Sequence, residues 1–390
     1  MNVKTLKKPA ARIDTKYLST FGIKAYDIDN LYPQNMLDIV SASPAGRGCL
    51  NRYANFIEGN GLKDAAFAEF IINRGKDTID DIHHLLSGDI ATFKGFAIHV
   101  NYNVFGEVAG INHIPFENCR LEEEDDFGEI THIFVHPDWR GKRTRSGKTL
   151  KVNAETIEKF PVFNPDPAVV QSQIQQAGGI ECYKGQVLWV SADGKNNYPK
   201  SKYDSVASDM VTDEGVSNLM NRNVKNNFFP AGMLVTKKAQ SQPKDDEDND
   251  SDSGDYDSGF IDDVVKLQGD MSAGKMLGVT LENDEEMPVF VSFPINNLDK
   301  EFTVTSNSVT ERIYAAFDQE PFYCIRIGKT GFSGTIVSDA YCYYAGQVTN
   351  EQRMLSRAYK AIFESWFEPV PANDFSIESL KYLSNEQTSN

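Results

Sequence analysis

A glycine- and lysine-rich segment comes closest to a nucleotide-binding motif. Residues 141–149 read GKRTRSGKT, and five residues separate the two glycines. The Walker phosphate loop needs four, followed by a helix whose backbone amides point at the phosphates, and the sequence predicts no such helix here. A basic surface loop therefore explains the segment better than a nucleotide site.

Two other patterns contain residue types that bind metal ions. All six histidines fall between His83 and His136, but no HExxH motif is present. In the acidic middle of the chain, carboxylates follow calcium-loop spacing, yet Ser251 stands where that loop needs glycine and Asp257 replaces its bidentate glutamate. No Gly-x-Ser-x-Gly nucleophile elbow occurs either. We therefore predict no catalytic residues, no metal site and no cofactor.

The charge balance limits the kinds of partner. The 390 residues include 56 acidic and 39 basic side chains, a formal net charge of −17. Tight, sequence-specific DNA binding usually needs a basic face, so this class is disfavoured. The five cysteines are widely spaced without a CxxC pair, which predicts buried thiols and neither a zinc site nor a disulfide framework. No secretory leader and no apolar run of membrane-spanning length are predicted.

Helices and strands occur in blocks along the chain. Apolar residues at helical spacing predict helices near 36–40, 43–58 and 78–93, whereas alternating apolar residues predict strands between 95 and 190. Residues 161–180, rich in Pro, Gln and Gly, are predicted to form a long connection. This arrangement predicts an α+β fold.

The most acidic stretch has low sequence complexity. Residues 244–258 hold eight acidic side chains, one lysine and no branched apolar residue. Such a composition cannot bury apolar surface, so we predict a disordered insert over 240–258.

An apolar stripe runs through the C-terminal part of the chain. Its members recur at spacings of three and four from about 335 to 367, which predicts one helix about 50 Å long. So wide a stripe can form the core of one subunit, an interface to a second subunit, or both. The residues that we assign to this core or interface are Tyr341, Tyr344, Leu355, Tyr359, Ile362 and Trp366.

Several segments, taken in order, resemble the portal proteins of tailed bacteriophages, in particular a compact type with a short C-terminal region. Residues 29–34 (DNLYPQ) and 49–62 are similar to the entry of the wing domain, and 226–234 (NNFFPAGML) to the junction between a stem helix and the clip. Residues 311–317 resemble the second stem helix, and 331–344 the tunnel loop and the helix after it. The order of the segments along the chain is stronger evidence for this resemblance than any single segment.

The resemblance implies a portal-like α+β fold with a mixed α/β wing, a helical stem, a small α/β clip and a long C-terminal helix. The implied segments are an N-terminal arm (1–30), the wing domain (31–205), the first stem helix (206–228), the clip (229–295) with its insert, the second stem helix (296–320), the tunnel loop (321–334), the long wing helix (335–368) and a C-terminal tail (369–390).

The resemblance also implies a function without catalysis. Portal proteins form a homo-oligomeric ring, here expected to be a dodecamer, at one capsid vertex. Double-stranded DNA is packaged and ejected through the ring, which seats the packaging motor and then the tail connector. The expected partners are therefore terminase, the major capsid protein and the head–tail connector, without a membrane. The expected locations are the virion and, during assembly, the host cytoplasm.

Two groups of residues follow as expected sites. Arg326, Lys329 and Phe332 of the tunnel loop are expected to contact passing DNA, and the alternative is that the two charges are simply solvated. The insert is expected to dock a connector or the motor. Its residues expected to do so are Asp245, Asp246, Glu247, Asp248 and Asp250.

Two other functions compete with the portal. The first is another structural virion protein, a head–tail connector or a capsid-associated protein, without a DNA-conducting channel. The second is a nuclease, which is disfavoured because the sequence shows no clustered metal-binding carboxylates.

Overall fold

The chain forms two compact units in a computed structural model. One unit comprises residues 1–211 and 310–390, and the other comprises residues 212–309. The structure describes residues 21–141, 152–194, 196–225, 298–330, 333–372 and 374–382, and the backbone of strands at 17–18, 233–237, 277–281 and 290–291.

The larger unit contains two antiparallel sheets. Its strands are β1 (Tyr17–Leu18), β2 (Ile23–Lys24), β3 (Gly95–Tyr102), β4 (Val108–Ile114), β5 (Cys119–Glu122), β6 (His132–Val135), β7 (Glu158–Pro161) and β8 (Gln186–Ser191). The five-stranded sheet has the order β1-β2-β5-β6-β7, and the three-stranded sheet has the order β4-β3-β8. In the second sheet Val100 lies opposite Ile111, and Ala97 lies opposite Trp189.

Helices make up the rest of the larger unit. Before the smaller unit these are α1 (Tyr32–Ala42), α2 (Pro44–Glu58), α3 (Ala65–Ala68), α4 (Ile79–Phe93) and α5 (Pro167–Ala177). After the smaller unit they are α8 (Glu320–Arg326), α9 (Gly334–Gln347) and α10 (Thr349–Phe363). The intervening helices, α6 (Ala207–Lys225) and α7 (Leu298–Ala316), each contribute residues to both units. With antiparallel sheets beside these helices, the predicted α+β class is confirmed.

Capping residues set the ends of the two central helices. Ser43 caps α2 by accepting a hydrogen bond from the Gly46 N–H (2.9 Å), as N-cap serines do. Thr78 and Asp81 form a reciprocal capping box at the start of α4. At the other end of α4, Lys94 adopts a left-handed conformation (φ 62°), which turns the chain into β3.

The helical core of this unit lies among α2, α4 and α10. Its side chains are fully or almost fully removed from solvent, which is the main source of stability for such helices. The residues are Tyr53, Phe56, Ile57, Ile82, Leu86, Ile90, Leu355, Tyr359 and Ile362.

The smaller unit contains a three-stranded sheet. Strand β9 (Met233–Lys237) lies between β10 (Leu277–Leu281), which is parallel to it, and β11 (Phe290–Val291), which is antiparallel. The predicted insert at 240–258 lies outside the described residues.

Both ends of the chain depart from the predicted arm and tail. The end of the predicted arm (1–30) belongs to the five-stranded sheet, with Ile23 and Tyr26 fully buried. In the predicted tail (369–390), the Asn60 N–H donates to the Glu378 carbonyl (2.8 Å) and Ile377 is buried. Buried apolar residues hold both segments on the larger unit. Their spacing shows no helix or strand periodicity, so the sequence did not predict this burial.

The predicted connection at 161–180 is also wrong, because it contains α5. Asp166 caps this helix by accepting from the Ala168 N–H (2.9 Å), and Pro167 occupies its first turn. A proline is tolerated at that position, since no intrahelical partner exists for its missing N–H.

The long wing helix predicted over 335–368 is in fact two helices. Val348 separates α9 from α10 with non-helical angles (φ −95°, ψ 3°). The Thr349 hydroxyl donates to the Gly346 carbonyl (2.9 Å), and such local side-chain bonds compete with a continuous helix. Since α10 ends at Phe363, Trp366 lies beyond it.

Within the described residues, no helix has both the length and the apolar composition that a membrane span requires.

Candidate functional site: the α8–α9 turn and its buried support

The segment predicted as a tunnel loop (321–334) contains a short helix. Its residues up to Arg326 belong to α8, and Pro321 occupies the first turn of that helix. The proline therefore begins α8, and the preceding helix already ends at Ala316, before the end expected for the second stem helix at residue 320. Residues 327–330 form a turn after α8 and Ser333 caps α9, whereas Phe332 lies outside the described residues.

The C-terminal end of α8 sets the shape of this turn. Gly328 is left-handed (φ 74°) and donates to the Ile325 carbonyl (3.1 Å), while the Lys329 N–H donates to the Cys324 carbonyl (3.0 Å). These two bonds make a Schellman motif, in which glycine accepts the positive φ without strain. The motif holds the backbone of Lys329 in one conformation.

Arg326 and Lys329 are both exposed at this turn. The Arg326 guanidinium donates to the Tyr314 hydroxyl (3.2 Å) and lies 5.9 Å from the centre of its ring. The turn and the end of α8 thus carry two of the three residues predicted to contact DNA.

Gln319 anchors the start of α8 and is fully buried. Its side-chain amide donates to the Cys49 carbonyl (2.9 Å) and to the Tyr344 hydroxyl (2.9 Å), and its carbonyl accepts from Arg52 (2.8 Å). The Tyr344 hydroxyl in turn donates to the Phe317 carbonyl (3.0 Å). One side chain therefore joins the α7–α8 connection to α2 and α9.

Aromatic rings surround this anchor. The Arg52 guanidinium lies 4.7 Å from the centre of the Phe322 ring, within the range of a cation–π interaction. The Phe56 ring centre is 4.9 Å from that of Tyr344 and 5.1 Å from that of Tyr341. Tyr344 is fully buried and Tyr341 is half-buried, so both belong to the core of the subunit.

A second polar cluster ties α10 to α2 and α4. Glu351 is buried, forms an ion pair with Lys94 and accepts from the Tyr53 hydroxyl (2.8 Å). Burial alone would raise the pKa of Glu351, but Lys94 and the hydrogen bonds outweigh it and the pKa is lowered. Glu351 therefore stays ionised, and the pair holds the first turn of α10 in place.

His83 and Tyr359 form a buried polar pair between α4 and α10. His83 Nδ1 lies 2.9 Å from the Tyr359 hydroxyl, and His83 Nε2 lies 2.9 Å from the Glu58 carbonyl. Burial lowers the pKa of His83, so the ring is neutral. Because a carbonyl only accepts, Nε2 carries the proton and Nδ1 accepts from Tyr359.

The other residues predicted for sites are distributed as follows. Leu355, Tyr359 and Ile362 are fully buried on one side of α10. Trp366 is half-buried beyond the helix, where its segment pairs with Val108 of β4. The acidic residues predicted for partner docking lie outside the described residues; they are Asp245, Asp246, Glu247, Asp248 and Asp250.

The residues that support the turn are not recognisable from the sequence. Nothing in the local pattern distinguishes Gln319, Arg52 or Glu351 from solvated polar residues on helices. Their partners lie far along the chain, as with Gln319 and Cys49, so no spacing rule reveals them. Among the described residues, no group of three side chains suited to binding a metal ion occurs.

Comparison with known proteins gives matches to solved structures only. No family model matches the chain, and no curated protein is similar to it in sequence. One similar chain comes from the neck of a native gene transfer agent particle computed with C12 symmetry, with 12% identity, 90% of this chain and 85% of that chain covered, and a TM-score of 0.48.

Two further solved structures are similar to this chain. A chain of the native gene transfer agent virion has 13% identity, with 87% of this chain and 92% of that chain covered and a TM-score of 0.42. An HK97 family phage portal protein from Corynebacterium diphtheriae also has 13% identity, with 76% of this chain and 84% of that chain covered and a TM-score of 0.35.

Proposed function

We propose that this chain is the subunit of a phage portal, a ring at one capsid vertex through which double-stranded DNA is packaged and ejected. The main observation in support of this proposal is the order of helices, small unit and turn along the chain. Helix α6 leads into a separate small unit, α7 leads out of it, and α7 is followed by a basic turn. The sequence resemblance implies the same order of stem, clip, stem and tunnel loop.

The basic turn suits loose contact with a moving polyanion. Arg326 and Lys329 are exposed, while Gln319 and the Schellman motif fix the backbone that carries them. Two exposed cations attract phosphates through their charge but offer no pattern that reads bases. Such contacts suit passing DNA, which must not be held at any one position.

The charge of the rest of the chain supports the same function. Residues 228–295, assigned to the clip, carry fifteen acidic and five basic side chains, a net charge of −10. Acidic walls lower the affinity for phosphates, so a duplex can slide past them. A DNA-binding protein that grips its site needs the opposite charge.

The proposal includes an assembly and its partners. We infer a homo-oligomer of the dodecameric kind, located in the virion and assembled in the host cytoplasm. Terminase would dock on the ring during packaging, the major capsid protein would surround it, and a head–tail connector would replace the motor. No catalytic role is proposed for any residue.

Electron microscopy of the purified full-length chain tests the ring directly. We expect closed rings with an axial hole wide enough for a DNA duplex. A chain that stays monomeric at every concentration, or that closes without such a hole, would refute the proposal. Closed particles without a channel would favour the alternative, a connector or capsid-associated protein.

Charge reversal of the turn tests the contact with DNA. The variant R326E/K329E should still form rings but should package or retain less DNA, because its turn repels phosphate. The variant K63E/K76E makes the same charge change at exposed sites away from the turn and serves as the control. Equal DNA retention in both variants would show that Arg326 and Lys329 are merely solvated.

A further inference from the structure

The outer face of α10 carries a basic stripe. Arg353, Arg357 and Lys360 are exposed, and their spacings of four and three place them on one side of the helix. The opposite side is buried against the core through Leu355, Tyr359 and Ile362. The stripe is therefore held on a rigid element, and its side chains extend away from the subunit.

Of the three cations in this stripe, only Lys360 forms an ion pair within the described residues. Lys360 lies 3.8 Å from the exposed Glu364, while Arg353 and Arg357 form no ion pair within the described part of the chain. In a chain with a net charge of −17, such a uniformly basic helix face is unusual. Its charge suits an acidic partner surface.

The turn between β5 and β6 has the complementary charge. Its Glu123, Asp126 and Glu129 are exposed and form no ion pair within the described residues. Between them lies Phe127, which is 90% exposed. A large apolar side chain left so open to water, within a cluster of carboxylates, is typical of a contact that a partner completes.

Local hydrogen bonds hold this acidic turn in shape. Asp125 Oδ1 accepts from the Phe127 N–H (2.9 Å) and from the Glu129 N–H (2.8 Å). The Asn196 amide donates to the Gly128 carbonyl, and Lys24 pairs with Glu124 (3.2 Å). The turn is thus built before any partner binds, which lowers the entropic cost of docking.

We propose that the acidic turn of one copy docks on the basic stripe of α10 of the next copy, so that this contact forms part of the interface around the ring. The inference rests on the proposed function, because it names the partner of this surface as a second copy of the chain. Three carboxylates meet three cations, and Phe127 supplies the apolar centre of the contact.

The larger unit has a groove in which the apolar centre can bind. It measures about 710 Å³ and is lined by Phe70, Ile71, Trp366 and Phe367, and also by the charged residues Glu69, Arg74 and Glu368. Ile71 is 55% exposed and Phe367 is 42% exposed. An inserted phenyl ring would remove these side chains from water together with its own surface.

Charge also determines which symmetry the contact can have. A two-fold contact through α10 would place one basic stripe against another, and like charges repel. The stripe lies on a helix packed on α2 and α4, whereas the turn extends from the five-stranded sheet. Two different surfaces on each copy give a head-to-tail contact, the kind that repeats around a ring.

The test compares the assembly of charge variants of the full-length chain by mass photometry over a range of concentrations. Both R353E/R357E and E123K/D126K should need at least about tenfold more protein to assemble. F127S should weaken assembly to a similar degree. The combined variant E123K/D126K/R353E/R357E, which keeps the wild-type net charge, should recover assembly.

The control is R47E/K76E, which changes net charge as R353E/R357E does but at exposed sites on other elements. It should assemble like the wild type, and circular dichroism should show that every variant is folded. If the wild type is itself a monomer, both the proposed ring and the proposed interface are refuted.

If the wild type forms rings, three results overturn the interface and leave the ring intact. They are normal assembly of either charge variant, normal assembly of F127S, and failure of the combined variant to recover. Normal assembly of R353E/R357E with loss of DNA retention would assign the stripe to DNA instead.

Discussion

Gln319 illustrates how a neutral polar residue can organise a functional segment. A buried amide needs its hydrogen-bonding capacity satisfied, and here three partners from α2 and α9 satisfy it. The start of α8, which leads to the α8–α9 turn, is thereby held in place. Arg326 and Lys329 depend on this support although neither contacts Gln319 directly.

Removing the Gln319 amide should therefore lower stability. Gln319→Leu keeps the approximate volume but leaves the Cys49 carbonyl and the Arg52 guanidinium without this partner, at a cost of about 2–4 kcal/mol. Chemical denaturation of the full-length chain measures this cost. Gln347→Leu, at an exposed position of α9, should change the free energy of unfolding by less than about 0.5 kcal/mol. Equal effects would contradict the role of Gln319.

His83 makes the stability of the fold dependent on pH. Burial lowers the pKa of His83 below its ordinary value near 6.5. Between that value and the folded-state pKa, the unfolded chain binds a proton that the folded chain excludes. The free energy of unfolding should thus fall as the pH drops below about 6.5, by at most about 1.4 kcal/mol per pH unit for this residue, and level off below the folded-state pKa.

Comparison of two neighbouring histidines isolates this effect. His83→Gln should show a shallower loss of stability between pH 7 and pH 5 than the wild type, in urea unfolding at each pH. His84→Gln removes the exposed histidine next to it, which pairs with Glu58 (3.1 Å), and measures how much of the slope that pair contributes. The same slope in His83→Gln as in the wild type would contradict the lowered pKa of His83.

At the scale of elements, the division between α9 and α10 changes what the C-terminal stripe does. One continuous helix, as predicted over 335–368, would contain both Tyr341 and Trp366. Instead, Val348 is buried at the junction, and each of the two helices packs on α2. The stripe therefore builds the core of the subunit, and the face of α10 that remains outside is basic.

The same division predicts unequal costs of truncation. Ile362→Ala, in the fully buried face of α10, should destabilise the fold by about 3 kcal/mol. Trp366→Ala, at a half-buried position beyond the helix, should cost about 2 kcal/mol, although its side chain is larger. Thermal unfolding of both variants shows which substitution destabilises the fold more. A greater loss of stability for Trp366→Ala would contradict the placement of Trp366 at a half-buried position.

At the scale of the whole molecule, the two compact units divide the expected tasks. The larger unit holds the basic turn, the basic stripe of α10 and the acidic β5–β6 turn, so it has the surfaces proposed for DNA and for ring contacts. The smaller unit spans the most acidic part of the sequence. We expect that part to meet partners outside the ring.

Deletion of residues 244–258 tests this division. The variant should still form rings, since the proposed ring contacts lie in the larger unit, but it should give fewer completed particles because a connector or the motor docks poorly. Electron microscopy of the purified variant and counting of complete particles after assembly measure the two effects. Loss of the ring itself would contradict the division.

Local patterns in the sequence were sufficient for the fold class and for most helices. The apolar spacing in α2 and α4, with Ser43 and Thr78 as caps, predicts these helices because helix periodicity and capping are properties of neighbouring residues. The same is true of the strand alternation in β3 and of the order of segments that resembles a portal. The net charge of −17 also follows from the sequence alone, because it is a sum over residues.

Only the tertiary structure decided where the chain bends and which polar residues are buried. Pro321 begins α8 within the predicted tunnel loop, and Val348 ends α9, where one continuous helix is predicted from the sequence. Gln319, Glu351 and His83 obtain their roles from partners far along the chain, and no local pattern contains those partners. The physical reason is that burial and hydrogen-bond satisfaction depend on contacts made after the helices have packed.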